Sequence, residues 1–280
     1  MGRCSAGHAS GGLVSGRALI ETGADAITRW IARLYFEVSY RVLAGTAGRE
    51  FLHAASDRDE PAVHGYATAL DIQALVEALH PLRGETLLDL GCGNGEVAIT
   101  IHRRTGCRVI GIDAARRAVT EARRRAANVG VQRSVRFLVG DLGSPPTGAS
   151  AAYALDSLMF ARRPAHVLAS VSHSLEPPGR VFVTFVDHRG LDRRAFARLI
   201  EGTELRLESL DDVTPELDAR SRKRASVARR TIRARRSPAG GLGLLLVLAE
   251  ETAVMQLIRR GRLRRWRFTT IRADTSSSPS

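Results

Sequence analysis

The chain has 280 residues, 44% of them hydrophobic, which is enough to bury one core with an attached lobe and too few for several large domains. A formal charge of +13 would ordinarily point to nucleic acid or an anionic surface, but Lys223 is the one lysine among 42 basic residues, so the excess reads as a coding bias toward arginine and as solvated surface charge. Cys4, Cys92 and Cys107 are odd in number and have no metal-ligand spacing, which leaves no disulfide framework and no metal site to expect and makes a reducing cytoplasm the expected compartment.

The opening MGRCSAGHASGGLVSG lacks the apolar core of a signal peptide, and residues 1 to 22 read as a flexible lead. From Ala24 to Leu43, Ile27, Trp30, Ile31, Leu34, Tyr35 and Val38 recur at helical spacing, and Ala67 to Leu79 does so again, so residues 23 to 80 are expected to form an N-terminal helical lid. Pro81, Arg83 and Gly84 end it. Strand-like runs follow at Thr86 to Leu90, Arg108 to Ile112, Val135 to Val139, Ala151 to Leu155 and Arg180 to Val186. Helical segments at Glu96 to Arg104, Arg116 to Val129 and Pro164 to Leu175 lie between them. This alternation predicts an α/β fold, a doubly wound parallel sheet with helices on both faces, whose core spans 81 to 190.

A helix at Arg193 to Ile200 and strands at Glu204 to Leu210 and Trp266 to Ile271 are expected to complete the sheet over residues 191 to 273, around an arginine-rich insertion acting as a cap. Residues 274 to 280 form a Ser and Pro tail. The most apolar stretch, Gly240 to Ala249, stops at Glu250 and Glu251, short of the ~20 residues that span a bilayer, so it reads as a buried helix and no membrane span is expected.

The chemistry concentrates in LLDLGCGNGEVAITI, residues 87 to 101, where a buried strand turns into a helix. A dinucleotide fingerprint needs G-x-G-x-x-G, but Glu96 stands where its third glycine belongs. Instead Gly91, Gly93 and Gly95 follow Asp89, and a carboxylate there suits a cationic ligand better than a diphosphate. Asp113 ends the second strand, placed to take both hydroxyls of a ribose, and Asp141 ends the third, within reach of an adenine edge. Three strands thus deliver an acid to one edge of the sheet. The ligand that fits carries adenine, ribose and an amino acid without phosphate. Each acid also has an ordinary structural role open to it: Asp89 capping the loop, Asp113 capping the next helix, Asp141 satisfying a turn.

These residues resemble the class I S-adenosylmethionine-dependent methyltransferases from roughly Arg83 to Arg189: LLDLGCGNG resembles their first motif, GID their second and GDL the loop that brackets adenine. The resemblance implies a Rossmann-like seven-stranded sheet with helical cap elements, S-adenosylmethionine as cofactor and S-adenosylhomocysteine as product. It implies that Asp89 and the loop Gly91, Cys92, Gly93, Asn94 and Gly95 lie near the methionine part, Asp113 at the ribose, and Asp141 and Leu142 at the adenine, with Ala114, Gly140 and Leu155 also cofactor-binding.

AAYALDSLMF, followed by AHVLASVSHSLEPPGRVFVTF, resembles a subgroup that methylates small molecules such as natural-product sugars, phenols and isoprenoid or indole carbons. In many of its members a histidine pair after the acidic-Ser-Leu triplet faces the acceptor. Met159 and Phe160 stand there in this chain, which favours an apolar acceptor wall built with Asp156 and His64 as further substrate-binding candidates. Asp187 and His188, at the end of the fifth strand, are the replacement catalytic candidates, because an imidazole with a pKa near about 6.5 can take a proton at neutral pH. Tyr66 in HGY is expected to cover the sulfonium end by cation–π attraction, and Trp30, Tyr35 and Phe36 to belong to the lid.

The implied reaction is in-line methyl transfer to a small, largely apolar metabolite of secondary metabolism, with C- or O-methylation favoured and proximity supplying the catalysis. Residues 219 to 236, ARSRKRASVARRTIRARR, hold nine basic residues and no acid. They read as a solvated helix face, as a clamp for an anionic acceptor such as a carboxylate or isoprenoid diphosphate, or as a contact for RNA. Nucleic acid is disfavoured because no aromatics interleave with the arginines. The lost histidine pair keeps a third class open, a non-methylating S-adenosylmethionine-binding partner or cyclase. A homodimer remains open as the assembly.

Overall fold

The computed structural model describes residues 45–56, 62–63, 65–161, 163–188, 190–234 and 241–273. The expected lead, the helix over residues 24 to 43, His64 and the tail lie outside them. Two helices, α1 (Thr46–Ala55) and α2 (Ala69–Leu79), precede β1 (Thr86–Leu90), α3 (Glu96–Thr105), β2 (Arg108–Asp113), α4 (Arg116–Asn128) and β3 (Val135–Val139). Then come β4 (Ala149–Leu155), α5 (Pro164–Ser174), β5 (Leu175–Asp187), α6 (Arg193–Ile200), β6 (Leu205–Asp212), α7 (Thr214–Ala234), α8 (Gly241–Arg259) and β7 (Arg264–Arg272).

The strands form one seven-stranded sheet in the order β3-β2-β1-β4-β5-β7-β6. Pairs from β3 through β5 are parallel, whereas β7 runs antiparallel between β5 and β6. The winding reverses between β1 and β4, and that reversal opens a crevice beyond their carboxyl ends, where ligands of open α/β sheets bind.

Alternation along the strands sends side chains into two cores. Leu87, Tyr153 and Phe182 meet Ile72, Leu75, Ile101 and Val119 on one face of the sheet. Leu88, Leu90, Ala152 and Val183 meet Leu168, Val171, Phe196 and Ile200 on the other. Burial on both faces explains why β1 and β4 read as continuous apolar runs. Thr68 starts α2 with a capping box, accepting from Asp71 N at 3.2 Å while Asp71 Oδ2 accepts from Thr68 N at 3.0 Å.

A third cluster, with Phe51, Leu52, Val227, Leu244 and Val247, binds α1, α7 and α8 into a cap. The arginine-rich run lies in α7, and the structure corrects its reading as a plain solvated face: Arg220 and Arg224 are buried, whereas Arg222, Arg229, Arg230 and Arg233 are exposed. Arg220 donates to Ala55 O at 2.8 Å, and Arg224 pairs with Glu251 while stacking over the Phe51 ring at 5.3 Å. Among the described residues, no helix is long and apolar enough to cross a membrane.

Gly95, the N-cap of α3, has φ +78, and a Cβ there would meet Phe137 Cζ at 2.6 Å and the Ala122 Cβ at 2.8 Å. Gly95→Ala therefore combines left-handed strain with overpacking, and a loss of about 2–4 kcal/mol is expected in urea unfolding monitored by circular dichroism.

Candidate active site

Asp89 is carried on β1 toward the carboxyl edge of the sheet, and it is buried there. Its Oδ2 has no hydrogen-bond partner among the described residues, the Tyr153 hydroxyl lying beside it short of bonding geometry. Burial pushes the carboxyl up to about 7, with the Tyr153 hydroxyl pulling the other way and the Asp113 charge adding to the rise. The expected capping role for Asp89 is thus not taken up. The same burial, with Asp89 and Asp113 nearby, holds the Cys92 thiol well above its ordinary range and therefore neutral.

The loop after β1 is folded by backbone bonds. Gly91 N and Cys92 N both donate to Ile112 O, at 2.8 and 3.1 Å, and Gly95 N donates to Cys92 O at 2.9 Å. Gly91 has φ +87, and a Cβ on it would fall 2.3 Å from the Ser157 Cβ. Ser157 Oγ in turn donates to Leu90 O, locking the loop after β4 onto the loop after β1. Asn94 donates to Ala62 O at 3.2 Å and ties in the segment before α2.

Asp113 accepts from Gly93 N on Oδ2 at 2.9 Å and from Ala115 N on Oδ1 at 2.8 Å. It therefore does cap the α4 entry, yet each carboxylate oxygen keeps a further acceptor position. Burial raises its pKa, and the Ala115 and Gly93 N–H groups oppose the rise. Asp141 is exposed and closes a turn by accepting from Gly143 N at 2.7 Å.

These groups border a cavity of about 1030 Å³ at the switch point. Of the residues singled out in the sequence, Tyr66, Asp89, Gly91, Cys92, Gly93, Asn94, Asp113, Ala114, Asp141, Leu142, Leu155, Asp156 and Phe160 all lie on its wall. Gly95 and Gly140 do not; one starts α3 and the other donates to Asp113 O at 3.1 Å. Met159 also lies off the wall, packed against the core under β4 and β5.

The catalytic candidates lie apart from the cavity's described lining. Asp187 is buried and holds the loop after β5 by accepting from Leu191 N at 2.6 Å, while His188 is exposed, and neither borders the cavity. Asp156 reaches the wall, but its carboxylate is taken by Arg265, at 3.0 and 2.8 Å, and so is not placed to act as a base. Tyr66 donates to Glu250 of α8 at 3.3 Å and carries the Arg224 guanidinium 5.7 Å from its ring centre, so one cation already uses the ring.

Ser157, Arg163, His166 and Val167 border the cavity without having been singled out. The spacing of the last three, i, i+3 and i+4 across the Pro164 start of α5, is the signal that would have placed them on one face.

A family model described as "Methyltransferase domain" matches residues 82–225, more than half of the chain. The chain belongs to this methyltransferase family. Among its relatives, the 27-O-demethylrifamycin SV methyltransferase of Amycolatopsis mediterranei is 35% identical over 136 residues, 47% of this chain and 50% of that one. The chain spans about half the length of the curated relatives it matches. A solved geranyl diphosphate methyltransferase in complex with SAM is similar in fold, with a TM-score of 0.60 at 21% identity, covering 73% of this chain and 85% of that one. The [4+2]-cyclase SpnF gives 0.64 at 20% identity, covering 87% and 95%.

The methyltransferase wall fits S-adenosylmethionine, the cofactor that the sequence implies. The Asp89 carboxylate on the wall suits the cationic end of the molecule, and the spare acceptor positions of Asp113 suit a ribose diol.

Asp89 also makes the unliganded chain sensitive to pH. Its folded pKa of about 7 exceeds its ordinary value of 3.8, so the native chain keeps a proton that the unfolded chain has lost. The stability this proton confers is complete below about pH 3.8 and is lost as the pH rises through about 7, a change on the order of 4 kcal/mol. Asp89→Asn is expected to remove that slope from the melting temperature measured between pH 5 and pH 8, raising it at the alkaline end.

Proposed function

We propose that the protein transfers a methyl group from S-adenosylmethionine to a small, largely apolar metabolite of secondary metabolism, by alignment and exclusion of water rather than through a dedicated base. Bound at the switch point, S-adenosylmethionine supplies a methyl group already activated on a positively charged sulfur. Asp89 holds the cationic end, Asp113 orients the ribose, and Asp141 with Leu142 flanks the adenine. The observation that carries the reading is that the Asp89 and Asp113 carboxylates lie on the wall of one cavity.

The opposite wall supports the choice of acceptor. Val63, Leu155, Phe160 and Ala161 are apolar, and the one carboxylate among them, Asp156, is neutralised by Arg265. His166, the one imidazole bordering the cavity among the described residues, stands beside Gly143 at the Asp141 turn, the side read as the adenine's. With Asp156 paired, the acceptor brings its own nucleophilicity, as an aromatic or enolic carbon or a readily ionised hydroxyl does. Alignment of such a group is worth roughly 7–11 kcal/mol of barrier. Arg220 and Arg224 are engaged inside the cap, so they are not available to clamp an anionic acceptor such as a diphosphate. A cytoplasmic setting agrees with the free thiols of Cys92 and Cys107.

The pairing of Asp156 with Arg265 favours one second reading, an S-adenosylmethionine-binding protein that does not transfer methyl groups. Release of S-adenosylhomocysteine separates the two. Incubation with phenols, indoles, isoprenoid diphosphates and short RNA is expected to release it with an aromatic or enolic compound; tight cofactor binding with no release across the panel would select the second reading. Asp113→Ala is expected to weaken S-adenosylhomocysteine binding by about 1–3 kcal/mol in calorimetry, and unchanged affinity would remove Asp113 from the site. His188→Ala is expected to leave turnover unchanged.

A further inference from the structure

We propose that Arg265, which stands behind the cavity wall on β7, is the positioning residue for the acceptor side of the site, clamping the segment that carries Tyr66 to the loop that carries Asp156. The inference rests on the methyl-transfer reading and adds the device that would set the acceptor's place.

The Arg265 guanidinium is fully buried and is gripped by two carboxylates at once. Its Nε and Nη2 donate to Asp156 Oδ1 and Oδ2 at 3.0 and 2.8 Å, and its Nη1 and Nη2 donate to Asp71 Oδ1 and Oδ2 at 3.2 and 3.0 Å. A planar group forked on two edges fixes both the separation and the relative orientation of its partners. Each partner belongs to a different wall. Asp71 sits in the capping box of α2, directly after the cavity-lining Gly65, Tyr66 and Ala67. Asp156 lies between Leu155 and Ser157, which border the cavity from the sheet side.

Stability alone does not account for the arrangement. A buried ion pair roughly breaks even against apolar packing of the same volume, so aliphatic side chains would hold α2 to the sheet as well. Asp156 is moreover held at φ +51, a left-handed conformation that a non-glycine residue adopts at a cost, with its N–H donating to Thr184 O and Oγ1, each at 3.0 Å. Strain and buried charge are both concentrated where the two walls meet. Arg267 extends the clamp to the cap by donating from Nη2 to Asp71 at 2.9 Å and to Glu216 of α7 at 2.6 Å. Among the described residues, none of the acids at the ends of β1, β2 and β3 bonds to this network, and the loop of Asp156 meets that side through the bond from Ser157 to Leu90 O.

The test is ¹⁹F NMR of protein labelled with 3-fluorotyrosine, in which Tyr66 reports the acceptor wall and Tyr153, beside Asp89, reports the cofactor side. In Arg265→Met, the Tyr66 resonance is expected to shift or broaden, with and without S-adenosylhomocysteine. The Tyr153 resonance keeps its position and its response to that ligand, and the Kd stays within about threefold of wild type. Arg265→Lys restores the charge without the forks and is expected to leave Tyr66 perturbed. With an acceptor from the turnover panel, kcat/KM falls by about 100-fold.

An unchanged Tyr66 resonance in a folded Arg265→Met protein overturns the proposal. Should that variant fail to fold, Asp71→Asn, which leaves the Asp156 fork intact, is read by the same criterion. Wild-type protein that does not bind S-adenosylhomocysteine would instead defeat the methyl-transfer reading, and the Tyr66 resonance of the free protein would still decide the role of Arg265.

Discussion

A carboxylate buried at the end of β1, with no cation paired to it among the described residues, is the constraint around which the site is built. Removing a charged group from water without pairing it is among the costlier things a fold does, and Asp89 responds by holding its proton to about pH 7. What keeps it in place is the rest of the sheet. β1 lies between β2 and β4 with apolar layers on both faces, so its register, and with it the direction of Asp89, is fixed by core packing. A positively charged ligand is the natural completion of that site, since it supplies the partner that the protein withholds.

The glycine loop has a second task besides leaving space. Its backbone N–H groups are largely consumed internally, by Ile112 O, Cys92 O and the Asp113 carboxylate, so they are not arrayed for a diphosphate. This is the physical difference between an edge lined with acids and the N–H cradle of a dinucleotide fold. At Asp113 capping does not preclude ligand binding: the two backbone donors that orient its oxygens leave each a further acceptor position on a residue that lines the cavity.

On the acceptor side the charges are paired among themselves. Asp71, Asp156 and Glu216 meet Arg265 and Arg267 in one network joining α2, the β4 loop, β7 and α7. In the cap, Arg224 pairs with Glu251 and its guanidinium lies over Phe51 and Tyr66. Arg220, Arg224, Arg265 and Arg267, at least, are structural, holding the cap helices and α2 to one another and to the sheet.

The sequence by itself determined the layered fold and the cofactor edge. β1 matches its apolar run residue for residue, because burial in a parallel sheet leaves a local signature, and β3, at the sheet edge, matches through the alternation that buries Val135 and Phe137; the acids at the ends of β1, β2 and β3 follow from these runs. Local signals failed elsewhere: α1 is only ten residues long, flanked by Gly45 and containing Gly48, so the buried face of Gly48, Phe51, Leu52 and Ala55 gives a single short repeat, and Pro177 and Pro178 hid the start of β5. Only the tertiary structure decided which charged residues are free to do chemistry. Whether Asp156 faces a substrate or an arginine depends on Arg265, 109 residues away, and that arginine's other partner, Asp71, is 194 residues distant from it. No spacing rule reaches that far, because such pairs are set by how finished elements pack and not by the chain between them.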